Sequence, residues 1–132
     1  MYNHITIGVS DIAAAKTFYD GIMRTLGYEC HSDDDGYVGY GHPEDSAKGA
    51  NSLYIVTPIN GQPATAGNGT NIAFVASDRA SVREFHRVAL ELGGTDDGAP
   101  GLREHYHPHY YGAYVLDPDG NKLVAVCNHD EP

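Results

Sequence analysis

Apolar and polar residues alternate from the start of the chain. Ile5, Ile7 and Val9 interleave with His4, Thr6 and Gly8, the period-two signature of a strand with two unlike faces. The period then lengthens. Ile12, Ala15, Phe18, Tyr19, Ile22, Met23 and Leu26 recur at helical spacing and form one apolar stripe. Ser10 and Asp11 stand just before it, where a side-chain oxygen accepts from the unpaired N–H groups of a first helical turn. Gly27 follows as a C-terminal stop. The pattern predicts a strand from Asn3 and a helix over Asp11–Leu26.

The same pattern returns from Thr70. One constant shift carries Ile5 onto Ile72, Ser10 onto Ser77, Asp11 onto Asp78, Ala13 onto Ala80 and Phe18 onto Phe85. The second strand is predicted over Asn71–Ala76 and the second helix over Asp78–Leu92, with a stripe of Val82, Phe85, Val88, Ala89 and Leu92. A further shift lays Asn51–Val56 (NSLYIV) on Asn121–Val126 (NKLVAV). A shared strand, cap, core Phe and closing strand indicate internal duplication. His4 of the first copy then corresponds to Asn71 of the second, and Tyr54 to Val124.

Between these landmarks, Tyr28–His31 and Tyr37–Gly41 read as strands around Ser32–Gly36, an acidic hairpin tip. Its three aspartates lack the distant Glu and the ligand spacing of a Ca²⁺ loop. His42–Ala50 reads as loop, Leu53–Val56 as a strand ended before Pro58, and Ile59–Gly69 as a linker. In the second copy a short strand is predicted near Gly94–Asp97, followed by irregular chain over Gly98–His109. Strands Tyr111–Leu116 and Lys122–Cys127 close the chain, joined by the turn Asp117–Asn121 (DPDGN). Each half is therefore βαβββ. The fold class is α+β: two tandem modules (about 1–58 and 70–129) forming a curved, mostly antiparallel sheet around a cleft.

Composition narrows the partners. Eight basic against eighteen acidic side chains give a net charge of −10, which argues against nucleic acid and against anionic membrane surfaces. Two unpatterned cysteines, Cys30 and Cys127, and no signal-peptide or membrane-spanning apolar run place the expected setting in the reducing cytoplasm.

A tandem βαβββ chain with NHITIGVSD near its start and LDPDGNKLVAV near its end resembles the vicinal oxygen chelate superfamily. That group holds glyoxalase I, bleomycin-resistance proteins, fosfomycin-resistance enzymes and extradiol dioxygenases. The final run HYHPHYYGAYVLDPDGNKLVAVCN is also similar to a group of bacterial glyoxalase-like proteins. The resemblance implies metal ligands on the first and fourth strands of each half, facing the cleft, and a homodimer. Carried over residue by residue, those positions are His4, Tyr54, Asn71 and Val124. One imidazole, one phenol, one amide and one hydrocarbon make a poor ligand set, because metal centres in enzymes normally use about three protein ligands. No cofactor is expected. The alternative is a divalent Zn, Ni, Fe or Mn ion held by His4 with His105 or His107.

His105, His107 and His109 would share one side of an extended segment, as a replacement metal site or an acid–base group. The plainer alternative is a polar loop broken by Pro108. His107, Tyr110 and Tyr111 are candidate ligand contacts, since their segment leads into a cleft-lining strand. Arg103 would take an anionic group or pair with Glu104. Ten tyrosines and no tryptophan favour a pocket that uses phenols for stacking and hydrogen bonding, with Tyr2, Tyr19 and Tyr28 read as core or interface. Cys127 reads as a small core side chain. The expected function is binding of a small organic molecule without the usual metal centre. The alternative is a glyoxalase-like lyase or isomerase in which His4 and His107 are catalytic, either on a rearranged metal site or by metal-free acid–base chemistry.

Overall fold

In the computed structural model, which describes residues 1–131, the first half runs β1 (His4–Gly8), α1 (Ile12–Thr25), β2 (Glu29–Asp34), β3 (Tyr37–Gly41), α2 (Pro43–Ser46) and β4 (Ser52–Val56). The second runs β5 (Asn71–Val75), α3 (Arg79–Glu91), β6 (Thr95–Leu102), β7 (Tyr111–Leu116) and β8 (Lys122–Cys127). Two four-stranded sheets result, ordered β1-β4-β3-β2 and β5-β8-β7-β6. In each, the first and last strands of the half pair in parallel and the other neighbours are antiparallel. The fold is α+β.

The two shifts found in the sequence reproduce the strand register. His4 lies opposite Ser52 and Thr6 opposite Tyr54. The duplicated positions pair identically, Asn71 with Lys122 and Ala73 with Val124. α1 and α3 pack on each other and on the sheets. The apolar stripe of each helix meets the apolar alternation of its strands, so Phe18, Ile22, Ile7 and Ile55 share one buried cluster with Phe85, Ala89, Ala113 and Leu123. Asp11 caps α1 by accepting from the Ala14 N–H at 3.0 Å, and Asp78 caps α3 from Ser81 at 2.7 Å. Gly27 turns the chain out of α1 at φ +85°, a conformation open to glycine at no steric cost.

The turn predicted at Asp117–Asn121 joins the halves. Buried Asp117 accepts from the Tyr19 hydroxyl of α1 at 2.5 Å and from the Asp119 and Asn121 amides at 2.9 and 2.8 Å. Asp119 accepts from the Ser10 N–H at 3.0 Å, and Asn121 Nδ2 donates to the Gly8 carbonyl at 3.2 Å. Burial, reinforced by the Asp117 charge, pushes the Tyr19 phenol far above its ordinary range, so it remains a donor.

Three local expectations are corrected. β2 extends to Asp34, so only Asp35 and Gly36 turn the hairpin; pairing with β3 outweighs the turn preference of Ser32 and Asp33. β6 extends to Leu102 with register shifts at Gly98, and Pro100 is tolerated because β6 is an edge strand. The expected loop at His42–Ala50 contains the single turn α2, with Pro43 at its first position, where the missing N–H costs nothing. The segment 103–110, expected as irregular chain, is turned: the Arg103 N–H donates to the Tyr110 carbonyl at 2.7 Å and the Tyr106 N–H to the Arg103 carbonyl at 3.0 Å.

Candidate functional site

Alternation along the strands sends Ile5, Ile7, Leu53 and Ile55 into the core and leaves His4, Thr6 and Tyr54 on the face turned away from the helices. On that face the Tyr54 ring is met edge-on by His4 at 5.5 Å, and by His31 and Tyr37, each at 6.1 Å between ring centroids. Gly39 lies opposite Tyr54 on β3, where a Cβ would stand 2.6 Å from Tyr54 Cε1. Its missing side chain makes room for the ring.

Hydrogen bonds fix both imidazoles. The Ser52 hydroxyl donates to the Ala50 carbonyl at 2.7 Å, so His31 Nε2–H donates to Ser52 Oγ at 2.9 Å and Nδ1 accepts from Ser32 at 2.8 Å. His4 Nδ1 accepts from Asn3 Nδ2 at 2.7 Å, which assigns its proton to Nε2 in the neutral ring. His31 and Tyr37 are site neighbours that the sequence reading missed. Counting strand parity outward from Tyr54 would have found Tyr37.

The second half builds its corresponding face differently. Tyr114 of β7 lies opposite Val124, which lies opposite Ala73. The Arg103 guanidinium and the Lys122 ammonium stand over the Tyr114 ring at 5.3 and 5.4 Å, a cation–π pair of contacts. Lys122 also pairs with Asp97 at 3.0 Å. Arg103 directs its donors to the Gly101 and Ala99 carbonyls at 2.8 and 2.7 Å. The Tyr110 and Tyr114 hydroxyls meet at 3.0 Å, and burial is the main cause pushing the Tyr114 phenol up.

The remaining candidates separate. Val124 is fully buried, and Asn71 lines a shallow hollow with Gly67, Thr70 and Lys122 rather than the cavity beside His4. The three loop histidines do not share a side. His105 stacks on Tyr106 at 4.2 Å, His107 Nε2 bonds to Asn128 Oδ1 at 3.0 Å with Nδ1 accepting from the His109 N–H at 3.2 Å, and His109 stands 3.8 Å from Asp130. The turned backbone breaks the alternation that an extended segment would impose. Tyr111 faces the helix layer, with Arg79 over its ring at 5.1 Å and Arg83 Nη1 donating to its hydroxyl at 3.4 Å. Strand parity puts Tyr111 and Tyr114 on opposite faces. Burial raises both the Cys30 and Cys127 thiols, so neither is an activated nucleophile.

A cavity of about 340 Å³ is lined by residues of both halves, Asn3, His4 and Ile5 of the first and Ile72 and Phe74 of the second, together with Met23 of α1 and Tyr40 of β3. It falls within the size range of small-molecule pockets, with an apolar lining and His4 at its edge.

Residues 2–125 match the sequence profile of the Glyoxalase/Bleomycin resistance protein/Dioxygenase superfamily. A crystal structure of a glyoxalase/bleomycin resistance protein from Albidiferax ferrireducens T118 is 37% identical, with a TM-score of 0.85 over 98% of this chain and 99% of that one. The chain belongs to the Glyoxalase/Bleomycin resistance protein/Dioxygenase superfamily. Two further superfamily structures share the fold at lower identity. A glyoxalase-related enzyme from Fulvimarina pelagi is 20% identical with a TM-score of 0.72, covering 97% of this chain and 88% of that one. A family enzyme from Burkholderia phytofirmans PsJN is 19% identical with a TM-score of 0.70, covering 96% and 98%. No curated protein matches the chain. No helix among the described residues is long and apolar enough to cross a membrane.

The resemblance implies metal ligands at the four strand positions identified in the sequence, and here those residues do not fit an ion. His4 offers Nε2, Tyr54 a phenol, Asn71 an amide that lines a different hollow, and Val124 a buried hydrocarbon. Among the described residues, one group of three or more His, Cys, Asp or Glu brings its ligand atoms within 4.8 Å of one another, and it is Cys127, His129 and Glu131. Neither His4 nor the loop histidines belong to it.

Proposed function

We propose that the chain binds a small organic molecule in the cavity beside His4, with no ion held by His4, Tyr54, Asn71 and Val124. The observation that carries this reading is the donor set itself. A tight ion needs several deprotonatable ligands directed at one point, and these four residues offer one imidazole. The cavity instead offers an apolar interior for a ligand body, with His4 and Asn3 among its polar lining residues. Fold alone would not choose between binder and enzyme, because this superfamily's scaffold serves several chemistries.

A thermal-shift screen of metabolite-like compounds, followed by calorimetry on the hits, tests the reading. A true ligand raises the melting temperature by mass action. His4→Ala should then weaken binding roughly ten-fold, the cost of one lost polar contact. An unchanged Kd in that variant moves the site away from His4. Stoichiometric Zn, Ni, Fe or Mn that is lost in His4→Ala but kept in Cys127→Ser would replace this reading with a metal-dependent lyase or isomerase.

The protein is further proposed to form a homodimer, as the superfamily resemblance implies. Exposed Tyr2, Val75, Leu102 and Tyr106 supply apolar surface that a second copy would cover. Sedimentation at micromolar concentration should give twice the 14.2 kDa chain mass, and a monomer alone would refute it.

A further inference from the structure

We propose that Cys127, His129 and Glu131 form a binding site for a thiophilic divalent cation of the Zn²⁺ type, on the helix side of the second sheet and apart from the cavity beside His4. Cys127 ends β8 with its sulfur buried against the core, and the chain then passes the N-terminal end of α3. Alternate residues of this C-N-H-D-E run put a thiol, an imidazole and a carboxylate together. Cys127 Sγ lies 3.5 Å from Glu131 Oε2 and 3.8 Å from His129 Nε2, and those two atoms are 3.7 Å apart.

Those three separations have the dimensions of a coordination shell. With metal–ligand bonds near those of zinc to S, N and O, the edges of a coordination tetrahedron come to roughly 3.3–3.6 Å. The observed separations of 3.5, 3.7 and 3.8 Å lie at or just beyond those edges. As hydrogen bonds the same contacts are poor. The imidazole–carboxylate separation of 3.7 Å is too long, and a thiol is a weak donor. The contact between the Cys127 thiol and the Glu131 carboxylate, at 3.5 Å, is a long sulfur hydrogen bond.

The chemistry agrees with the geometry. Coordination deprotonates a thiol, so thiolate and carboxylate together neutralise a divalent charge, and sulfur with imidazole selects Zn-like ions over Mg or Ca. Glu131 is already oriented, since its Oε2 accepts from the Arg79 N–H at 2.7 Å, an outer contact of the kind that positions metal-ligating carboxylates. Cys127 is buried, Glu131 half-buried and His129 exposed, which leaves a fourth position open to water. The bound ion would fasten the C-terminal run to the start of α3.

Titration of the metal-free full chain with Co²⁺ tests this. One equivalent should bind with the near-ultraviolet charge-transfer band of a cobalt–thiolate bond, and Zn²⁺ should displace it. The isosteric Cys127→Ser variant should lose the band, and His129→Ala and Glu131→Gln, at sites outside the core cluster, should each weaken binding at least about ten-fold. His4→Ala should leave the titration unchanged, which separates this site from the cavity. A titration without the thiolate band, a band that persists in Cys127→Ser, or one lost in His4→Ala would overturn the proposal.

Discussion

Replacing Asp117 with Ala is expected to destabilise the fold by roughly 3 kcal/mol or more, the largest loss for any polar residue of the chain. Removing this buried carboxylate strands the Tyr19 hydroxyl and the Asn121 amide, each worth about 1–3 kcal/mol when left without a partner in the interior. The effect should spread, because the same turn places Asp119 on Ser10 and Asn121 on the Gly8 carbonyl. Tyr19→Phe removes one donor and leaves the carboxylate its amide partners, so it should cost only about 1–2 kcal/mol. In the double variant the Tyr19 hydroxyl is no longer stranded, so the combined loss should fall short of the sum of the two. Urea-unfolding midpoints of the four proteins measure each of these values. An Asp117→Ala protein within about 1 kcal/mol of wild type would show that the turn does not hold the halves together.

The sequence carried the architecture because duplication repeats the evidence. Ile5–Val9 alone is a short alternating run of a kind common by chance, but its repeat at Ile72 comes with the same cap and the same core Phe. Pairing of the two closing strands then followed from Asn51 and Asn121, and the structure keeps that register. Edge strands were less legible. β6 contains Gly98, Pro100 and Gly101, which read as loop, and it pairs only because β7 supplies a template on one side. The face that carries His4 and Tyr54 was legible on β1 and β4, where alternation fixes which side chains leave the core. The facing of Tyr111 was not, because its position beside a loop said nothing of its parity, nor were the loop histidines, whose turned backbone follows no alternation. Tyr114 shows what single positions hide. In the first half the tyrosine stands on β4 opposite Gly39, and in the second on β7 opposite Val124, so matching duplicated positions one by one could not pair them.

Tyr54→Glu is expected to give the face around His4 an affinity for divalent ions at least about ten-fold above that of its parent. Tyr54 is the position to change. Its ring already contacts His4 at 5.5 Å and it is only half-buried, so a carboxylate there gains an imidazole neighbour without entering the core. Val124 is the wrong choice, because a Glu at a fully buried position would have to lose either its charge or its place in the sheet. His31, whose ring also meets that of Tyr54, at 6.1 Å, supplies the second imidazole, and the set then reaches the three ligands that hold an ion with one position open. The change belongs in a Cys127→Ser background, so that the thiol at the end of β8 contributes nothing. Calorimetric titration with Ni²⁺ or Zn²⁺ reads the gain, and adding His4→Ala should abolish it. One outcome would count against the proposed metal-free cleft. If the Cys127→Ser parent already binds one equivalent through His4, the cleft has a resident ion after all. If the added carboxylate produces no gain, His4, His31 and position 54 do not face one point, and this prediction fails.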